Sequence, residues 1–469
     1  MAILDYSTIE SELAKIVGKE HVSSDMVDLV AHERDDQFAT VPPHLPDFVV
    51  RPATKVEIQA ILRLANEHKI PVVPYGAGIN RKGLCIASEG GIILDLRRMT
   101  KIEIDEEMMV AKVGPGVNFA QMVIALNKYP HLRCLAPDAP ATASVLANYM
   151  LRGIYPTSTR YGIDHLITME IVLPNGTILD TGSAATPNSP APYCGIVNGP
   201  DLTKLFQANV GTMGVVTEGR IRLYPMPEKI EPLMIRFPNF ESMMEPAKQY
   251  TLQNLVAGVW VMTFDPKAME LFMNTKGVTE EIFASLLFLE GTNQEVENQK
   301  AQVLQIAADT KGEDMVLPEF MKKEFILDHR YMRTFIRGWR MGNLWGTSCY
   351  GPLKNVPKYY EVSKKLCRKN KFETLHFEAM PVSPFQGQTT YIDPCVMWDG
   401  GNPDEVERIR QLTQDIRAAF LDIGIYGFFR AFPGTVNSNE LGMYGEIWRK
   451  IKQLIDPNNI MNPGKPPLA

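Results

Sequence analysis

The 469-residue sequence has no unbroken apolar run of the roughly 20 residues that a membrane-spanning helix needs. Nor does it open on a basic stretch followed by an apolar block, so neither a membrane anchor nor a secretory signal is expected. Its six cysteines are scattered and form no C-x-x-C, which fits reduced, buried thiols in a cytoplasmic protein. Eight histidines form no H-x-x-x-H or H-E-x-x-H pair, so no protein-built metal site is expected. With 48 Lys+Arg against 54 Asp+Glu, the chain lacks the basic excess of a nucleic-acid binder. The two common phosphate fingerprints, G-x-G-x-x-G opening a helix and G-x-x-x-x-G-K-[ST], are also missing.

What is present is a glycine loop of another kind. In PVVPYGAGINRKG, residues 71–83, an apolar strand breaks into Gly76-Ala77-Gly78, and Gly83 follows. Glycines there let successive backbone N–H groups turn toward one point, as a phosphate cradle requires.

The surrounding pattern alternates strand and helix. FVVRP (48–52) reads as a strand, and Thr54 with Glu57 opens a helix with an apolar stripe of Ile58, Ile61, Leu62 and Ala65. Asn118 and Gln121 cap a second helix. ITMEIVLPNGTILDTG (167–182) reads as a hairpin about Asn175-Gly176. Prolines 225 and 227 place a boundary near 228. Beyond it come apolar strands (PLMIRF, VAGVWVMTF), a charged helical stretch over roughly 279–311, a second strand–helix–strand set from Asn343 to Trp398, and a helix over 403–423. The expected fold is α+β, with a first domain over 1–228 completed by 425–469 and a mixed-sheet second domain over 229–424.

The order of motifs resembles the FAD-binding oxidoreductases of the vanillyl-alcohol oxidase/p-cresol methylhydroxylase (PCMH) family. The resemblance runs through RPATKVEIQAILRLANEHKIPVVPYGAGIN, SVLANYMLRGIYPTSTRYGIDHLITMEIVLPNGTILDTG, LFQANVGTMGVVTEGRIRLYPMPE and IDPNNIMNPGK. It implies a two-part PCMH-type FAD-binding domain under a cap. In that family the loop matching Gly76, Ala77, Gly78, Ile79 and Asn80 wraps the FAD pyrophosphate. Ser144, Val145 and Asn148 match the segment along the flavin, Val215 and Val216 the backbone at the adenine half, and Lys465 a basic residue near the flavin.

The cap looks like the para-substituted phenol branch. GQTTYIDPCVMWD resembles the strand that supplies a covalent flavin link, with Tyr391 (or Thr390, one residue off) at that position. In YGFFRAF, Arg430 matches an arginine that binds a substrate phenolate, and Phe429 replaces the tyrosine beside it. Tyr161 matches a tyrosine beside the flavin. Thr142 replaces an acidic residue, and the glycine loop lacks the family's phenolate-binding tyrosine. The implied activity is hydride transfer from a benzylic or alcohol carbon to flavin N5, with Arg430 and Tyr161 as catalytic candidates. Two alternatives stay open: a 2-hydroxy-acid or other alcohol dehydrogenase using Arg430 on a carboxylate, and an FAD electron-transfer subunit of a complex. The paired histidines of the metal-bearing D-lactate and glycolate enzymes have no counterpart, since His329 and His376 stand apart. Implied partners are a small-molecule substrate, an electron-acceptor protein and a second copy of the chain.

Overall fold

The computed structural model describes residues 6–35, 38–79, 83–137, 139–189, 192–195, 197, 199–273, 276–317, 322, 343–373, 375–382, 388–425 and 438–467. Strands Phe48–Val50 and Val72–Tyr75 both run parallel to Ile92–Asp95, which lies between them. A parallel pair needs a crossover, and helix Lys55–His68 supplies it. Thr54 accepts the Glu57 N–H, but the Glu57 carboxylate turns to the N–H of Ala53, one residue short of a reciprocal box. Asn118 and Gln121 do form the full box.

A second sheet of five antiparallel strands runs in the order Ile102–Asp105, Val110–Val113, Val215–Arg222, Leu166–Val172, Ile178–Asp180. The last two are the expected hairpin, with Gly176 at φ 80° in its turn. The tail returns to this half of the molecule. Helix Met443–Ile455 packs Ile451 and Ile455 on its core, and Met461 bridges Val72.

The cap sheet begins at Lys229 and runs in the order Glu313–Met315, Lys229–Phe237, Ile282–Gly291, Gly258–Phe264, His376–Pro381, Thr390–Trp398, Asn343–Gly346, with Cys349–Gly351 also on Thr390–Trp398. Two expectations are corrected here. The stretch expected as helix over 279–311 is a strand, Ile282–Gly291, followed by helix Asn293–Ala308; the charge pattern belongs to the helix alone, and the run before it, IFASLLFLEG, is apolar. The sheet read as mixed is antiparallel at every described pairing. The reason is insertion. Lys229–Phe237 and Gly258–Phe264 run the same way across helix Glu241–Leu252, but Ile282–Gly291 sits between them. Thr390–Trp398 splits Asn343–Gly346 from His376–Pro381 in the same way.

Four helices, Glu241–Leu252, Asn293–Ala308, Val356–Lys369 and Pro403–Asp422, cover one face of this sheet over Val259, Val261, Leu287, Phe377 and Ile392. By strand alternation the other face carries Trp260, Met262, Leu286, Phe288, Met380, Tyr391 and Cys395, and it packs on Ile154, Tyr161 and Ile163 of the first domain. The short helix Ser158–Tyr161 is pinned there: Thr159 Oγ1 donates to the carbonyl of Pro381 at 2.9 Å and accepts from Val259 N at 3.1 Å. Among the described residues no helix is long and apolar enough to cross a membrane.

Candidate functional site

Several loops meet where strand Val72–Tyr75 ends. A Cβ on Gly76 would stand 3.5 Å from the side chains of Ser144 and Ala147, and one on Gly211 would stand 3.2 Å from the Pro74 ring. Asn462 donates to the carbonyls of Leu84 at 3.0 Å and Val210 at 2.7 Å. Lys465 Nζ donates to Ile86 O at 3.1 Å and Ser88 Oγ at 2.7 Å. The backbone is left-handed at Gly78 (φ 69°), Ala208 (57°), Val210 (51°), Gly211 (74°) and Asn462 (42°). Non-glycine residues there cost of order 1–3 kcal/mol each and persist only where the surroundings over-determine them.

This strained junction leaves donors available. The N–H groups of Ala77, Gly78 and Ile79 bond to no other described residue. Three successive unpaired donors beside a left-handed glycine form the kind of concavity that takes a phosphate. Ser144 shapes the neighbouring turn. It caps helix Val145–Met150 by accepting from Ala147 N and donates to Pro115 O at 2.7 Å. Val145 is buried and its N–H is taken by Val117 O; Asn148 Oδ1 accepts from the Tyr155 hydroxyl at 2.8 Å. Val215 and Val216 are buried and pair with Val172 and Ile171, while the ladder on their other edge begins only at Gly219. Asn80 lies outside the described residues.

Lys465 is buried, and that burial pushes its pKa down to about 8, against the opposing pull of Cys85, Asp35 and Glu89. Its bonds tie the tail to residues 86–88, directly after the glycine loop.

The cap contributes a second centre on the sheet face turned to the first domain. Tyr391 donates to Asp393 Oδ2 at 2.9 Å, and Asp393 also accepts from Ser348 N at 2.7 Å and Ser348 Oγ at 3.0 Å. Glu378 lies directly opposite Asp393 on the neighbouring strand, and His376 opposite Cys395. His376 Nε2 is 3.4 Å from Glu378 Oε2, and all of these side chains are buried. Gly346 makes room for the group, since a Cβ there would stand 2.8 Å from Asp393 Oδ1. Burial, then the charges of Asp393 and Glu378, raise the Tyr391 phenol well above its ordinary range, so it stays a neutral donor. Among the described residues no group of three or more His, Cys, Asp or Glu side chains is arranged to hold a metal.

Tyr161 is half-buried at the join between the domains. Its hydroxyl donates to Glu290 of the cap and accepts from Arg133 Nη2 at 3.2 Å. Arg430 lies outside the described residues. Sequence reasoning missed Asp393, Glu378, Ser348, Arg133 and Glu290. The first two did leave a signal: each is a carboxylate set inside an apolar strand, in YIDPC and HFEAM, where a charge is costly unless it has work to do.

Comparison with known proteins identifies the frame. A family described as "FAD binding domain" matches residues 46–182, and one described as "FAD linked oxidases, C-terminal domain" matches 226–424 and 443–466. The chain belongs to the FAD-linked oxidoreductases with a PCMH-type FAD-binding domain. It is 26% identical to the probable mitochondrial D-lactate dehydrogenase of Danio rerio, over 97% of this chain and 91% of the relative. It is also 26% identical to the glycolate oxidase subunit GlcD of Bacillus subtilis (strain 168), over 97% of this chain and 96% of the relative. The structure of p-cresol methylhydroxylase with substrate bound superposes with a TM-score of 0.85 at 21% identity, covering 98% of this chain and 96% of that one. That likeness establishes the shared fold. The cofactor is FAD, and the N–H groups of Ala77, Gly78 and Ile79, bonded to no other described residue, would suit a phosphate group of it.

Proposed function

We propose that the protein removes a hydride from the benzylic or alcohol carbon of a substrate that presents hydroxyl groups and no carboxylate, a para-substituted phenol or aryl alcohol first, and delivers it to FAD. The observation that carries this reading is the cap wall. Its three central strands, Gly258–Phe264, His376–Pro381 and Thr390–Trp398, contain no lysine or arginine, and Glu378 and Asp393 are buried side by side on the face toward the first domain. A carboxylate substrate set against that wall would meet two carboxylates. A hydroxyl meets acceptors instead.

Each group then has a role. Ala77, Gly78 and Ile79 hold the pyrophosphate through their N–H groups, with Ser144, Asn148 and the Val215–Val216 backbone alongside. Bound FAD supplies the two-electron acceptor. Glu378 takes the proton of attacking water. Asp393, Ser348 and Tyr391 form a fixed hydrogen-bonded triangle that sets the shape of the wall. Arg430 stabilises an anionic substrate oxygen with its permanent charge.

The D-lactate dehydrogenase and glycolate oxidase relatives favour a second reading, oxidation of a 2-hydroxy acid whose carboxylate pairs with Arg430. Mixing the oxidised holoprotein anaerobically with 4-hydroxybenzyl alcohol, D-lactate or glycolate separates the two. Bleaching of the flavin by 4-hydroxybenzyl alcohol alone supports the first reading. Bleaching by the hydroxy acids alone overturns it in favour of the second, and bleaching by none of them removes both.

A further inference from the structure

Glu290 is the last residue but one of cap strand Ile282–Gly291 and is 2% exposed. A buried carboxylate needs partners, and its charged partners come from the other domain. Arg133 Nη2 donates to Oε2 at 2.8 Å, Arg160 Nη1 lies 3.5 Å from Oε1, and the Tyr161 hydroxyl donates to Oε1. Arg160 Nη1 also reaches the Glu290 carbonyl at 3.3 Å, and Arg160 N donates to Ala257 O at 2.9 Å. Arg133 is itself 5% exposed, with its guanidinium 5.5 Å from the Tyr161 ring centre.

Tyr161 is therefore held from both sides. Arg133 donates to its oxygen and Glu290 accepts a hydrogen bond from it, so the one hydroxyl bridges an arginine of the FAD-binding domain and a carboxylate of the cap. The ring also packs edge-on against Tyr224, with centroids 4.9 Å apart, and takes part in the apolar wall with Met380 and Tyr391. The phenol is raised from its ordinary range, by burial first and Glu290 next. A tyrosine in that state is a poor acid by itself. It passes a proton only if the carboxylate behind it receives one.

We propose that Glu290 is a positioning residue for the oxidation. It fixes the Tyr161 hydroxyl at the wall and acts as proton acceptor behind it. When the C–H bond of the substrate breaks and its hydrogen leaves with both bonding electrons, which bound FAD would accept, the substrate O–H proton passes to the Tyr161 oxygen and the Tyr161 proton passes to Glu290. One O–H bond breaks and one forms at each step, and FAD is the oxidant. Arg133 and Arg160 balance the carboxylate before transfer, and the pairing couples proton movement to the docking of cap on FAD-binding domain. The proton step rests on the proposed oxidation; the hold on Tyr161 does not.

The test is a double-mutant cycle on the holoprotein with Tyr161→Phe, Glu290→Gln and both changes together, read in two ways. The first is melting temperature without substrate. A direct Tyr161–Glu290 bond makes the losses non-additive, and additive losses overturn the hold. The second is anaerobic flavin reduction with 4-hydroxybenzyl alcohol and with D-lactate. Each single variant should lose about a hundredfold in rate at little change in half-saturating substrate, and the double variant no more than the worse single one. Multiplying losses, or a rate unchanged in Glu290→Gln, overturn the proton role. Should Glu290→Gln fail to fold, the paired Arg133→Met/Glu290→Met variant removes both charges at similar volume, a change buried ion pairs often tolerate. If neither substrate reduces the wild-type flavin, the proposed oxidation and its proton step fall together, and the melting cycle still decides the hold on Tyr161.

Discussion

The side-chain amide of Asn462 donates to the carbonyl oxygen of Val210 at 2.7 Å, and both residues sit in left-handed backbone. The same nitrogen reaches Leu84 O at 3.0 Å, so one side chain near the end of the chain clamps the turn before strand Val215–Arg222 to the segment after the glycine loop. Asn462→Ala removes the hydrogen bonds to two carbonyls, one buried and one half-buried, and places a less tolerant residue at positive φ. Each carbonyl left unsatisfied costs about 1–3 kcal/mol. The variant should bind FAD more weakly with its cap intact. Fluorimetric titration of the apoprotein with FAD checks this, and an unchanged affinity would refute the clamp.

Gly78 and Gly76 should behave differently. Gly78 has φ 69°, and a Cβ there would overlap the Tyr75 hydroxyl; Gly76 has ordinary φ and only van der Waals neighbours at 3.5 Å. Gly78→Val should yield colourless protein, whereas Gly76→Ala should purify yellow. Equal FAD content in the two variants would contradict the cradle geometry.

Tyr391 should not carry the flavin covalently. Forming an ether needs its phenolate, and burial together with Asp393 and Glu378 keeps the phenol neutral, with its proton committed to Asp393. Acid precipitation of the holoprotein should leave the yellow colour in the supernatant. A yellow pellet that turns white in Tyr391→Phe would restore the covalent link.

Arg430→Ala should retain FAD and lose most turnover. A hydrogen bond to a charged group is worth about 1.5–3 kcal/mol. Steady-state rates with the substrate that bleaches the flavin are the measure, and turnover within twofold of wild type would make Arg430 a structural residue.

Lys465 gives a pH signature. Its folded pKa, about 8, lies below the ordinary lysine value near 10.4, so folding disfavours the charged form. Below pH 8 the amine is protonated whether folded or unfolded, and the penalty is present in full. Between about 8 and 10.4 the unfolded chain binds the extra proton, so this group makes stability rise with pH. The melting temperature of wild type relative to Lys465→Met should therefore shift in the wild type's favour from pH 7.5 to 9.5. A difference that stays flat or falls would show that the amine does not titrate there.

What could be read from the sequence follows the range of the interactions. The Asn118 box and the Asn175-Gly176 hairpin rest on residues within a few positions of one another, and the structure has both; of the glycine loop, Gly78 has the left-handed backbone that its sequence suggests. The Arg133–Glu290 pair joins residues 157 apart, and no local pattern announces it. Glu378 and Asp393 face each other only because Thr390–Trp398 is inserted between two strands that a simple crossover reading would place side by side. The site was legible where backbone conformation makes it and hidden where strand order does.

The clasp at Asn462 and Lys465 also has a consequence for biosynthesis. Lys465 Nζ bonds to Ile86 O, its partner 379 positions earlier, and Asn462 reaches Leu84 across 378. A ribosome releases the glycine loop and the sheets of the first domain long before it releases their fastening. The nascent chain therefore lacks this fastening throughout the synthesis of the cap, and the junction around the glycine loop gains it only once Asn462 and Lys465 have emerged.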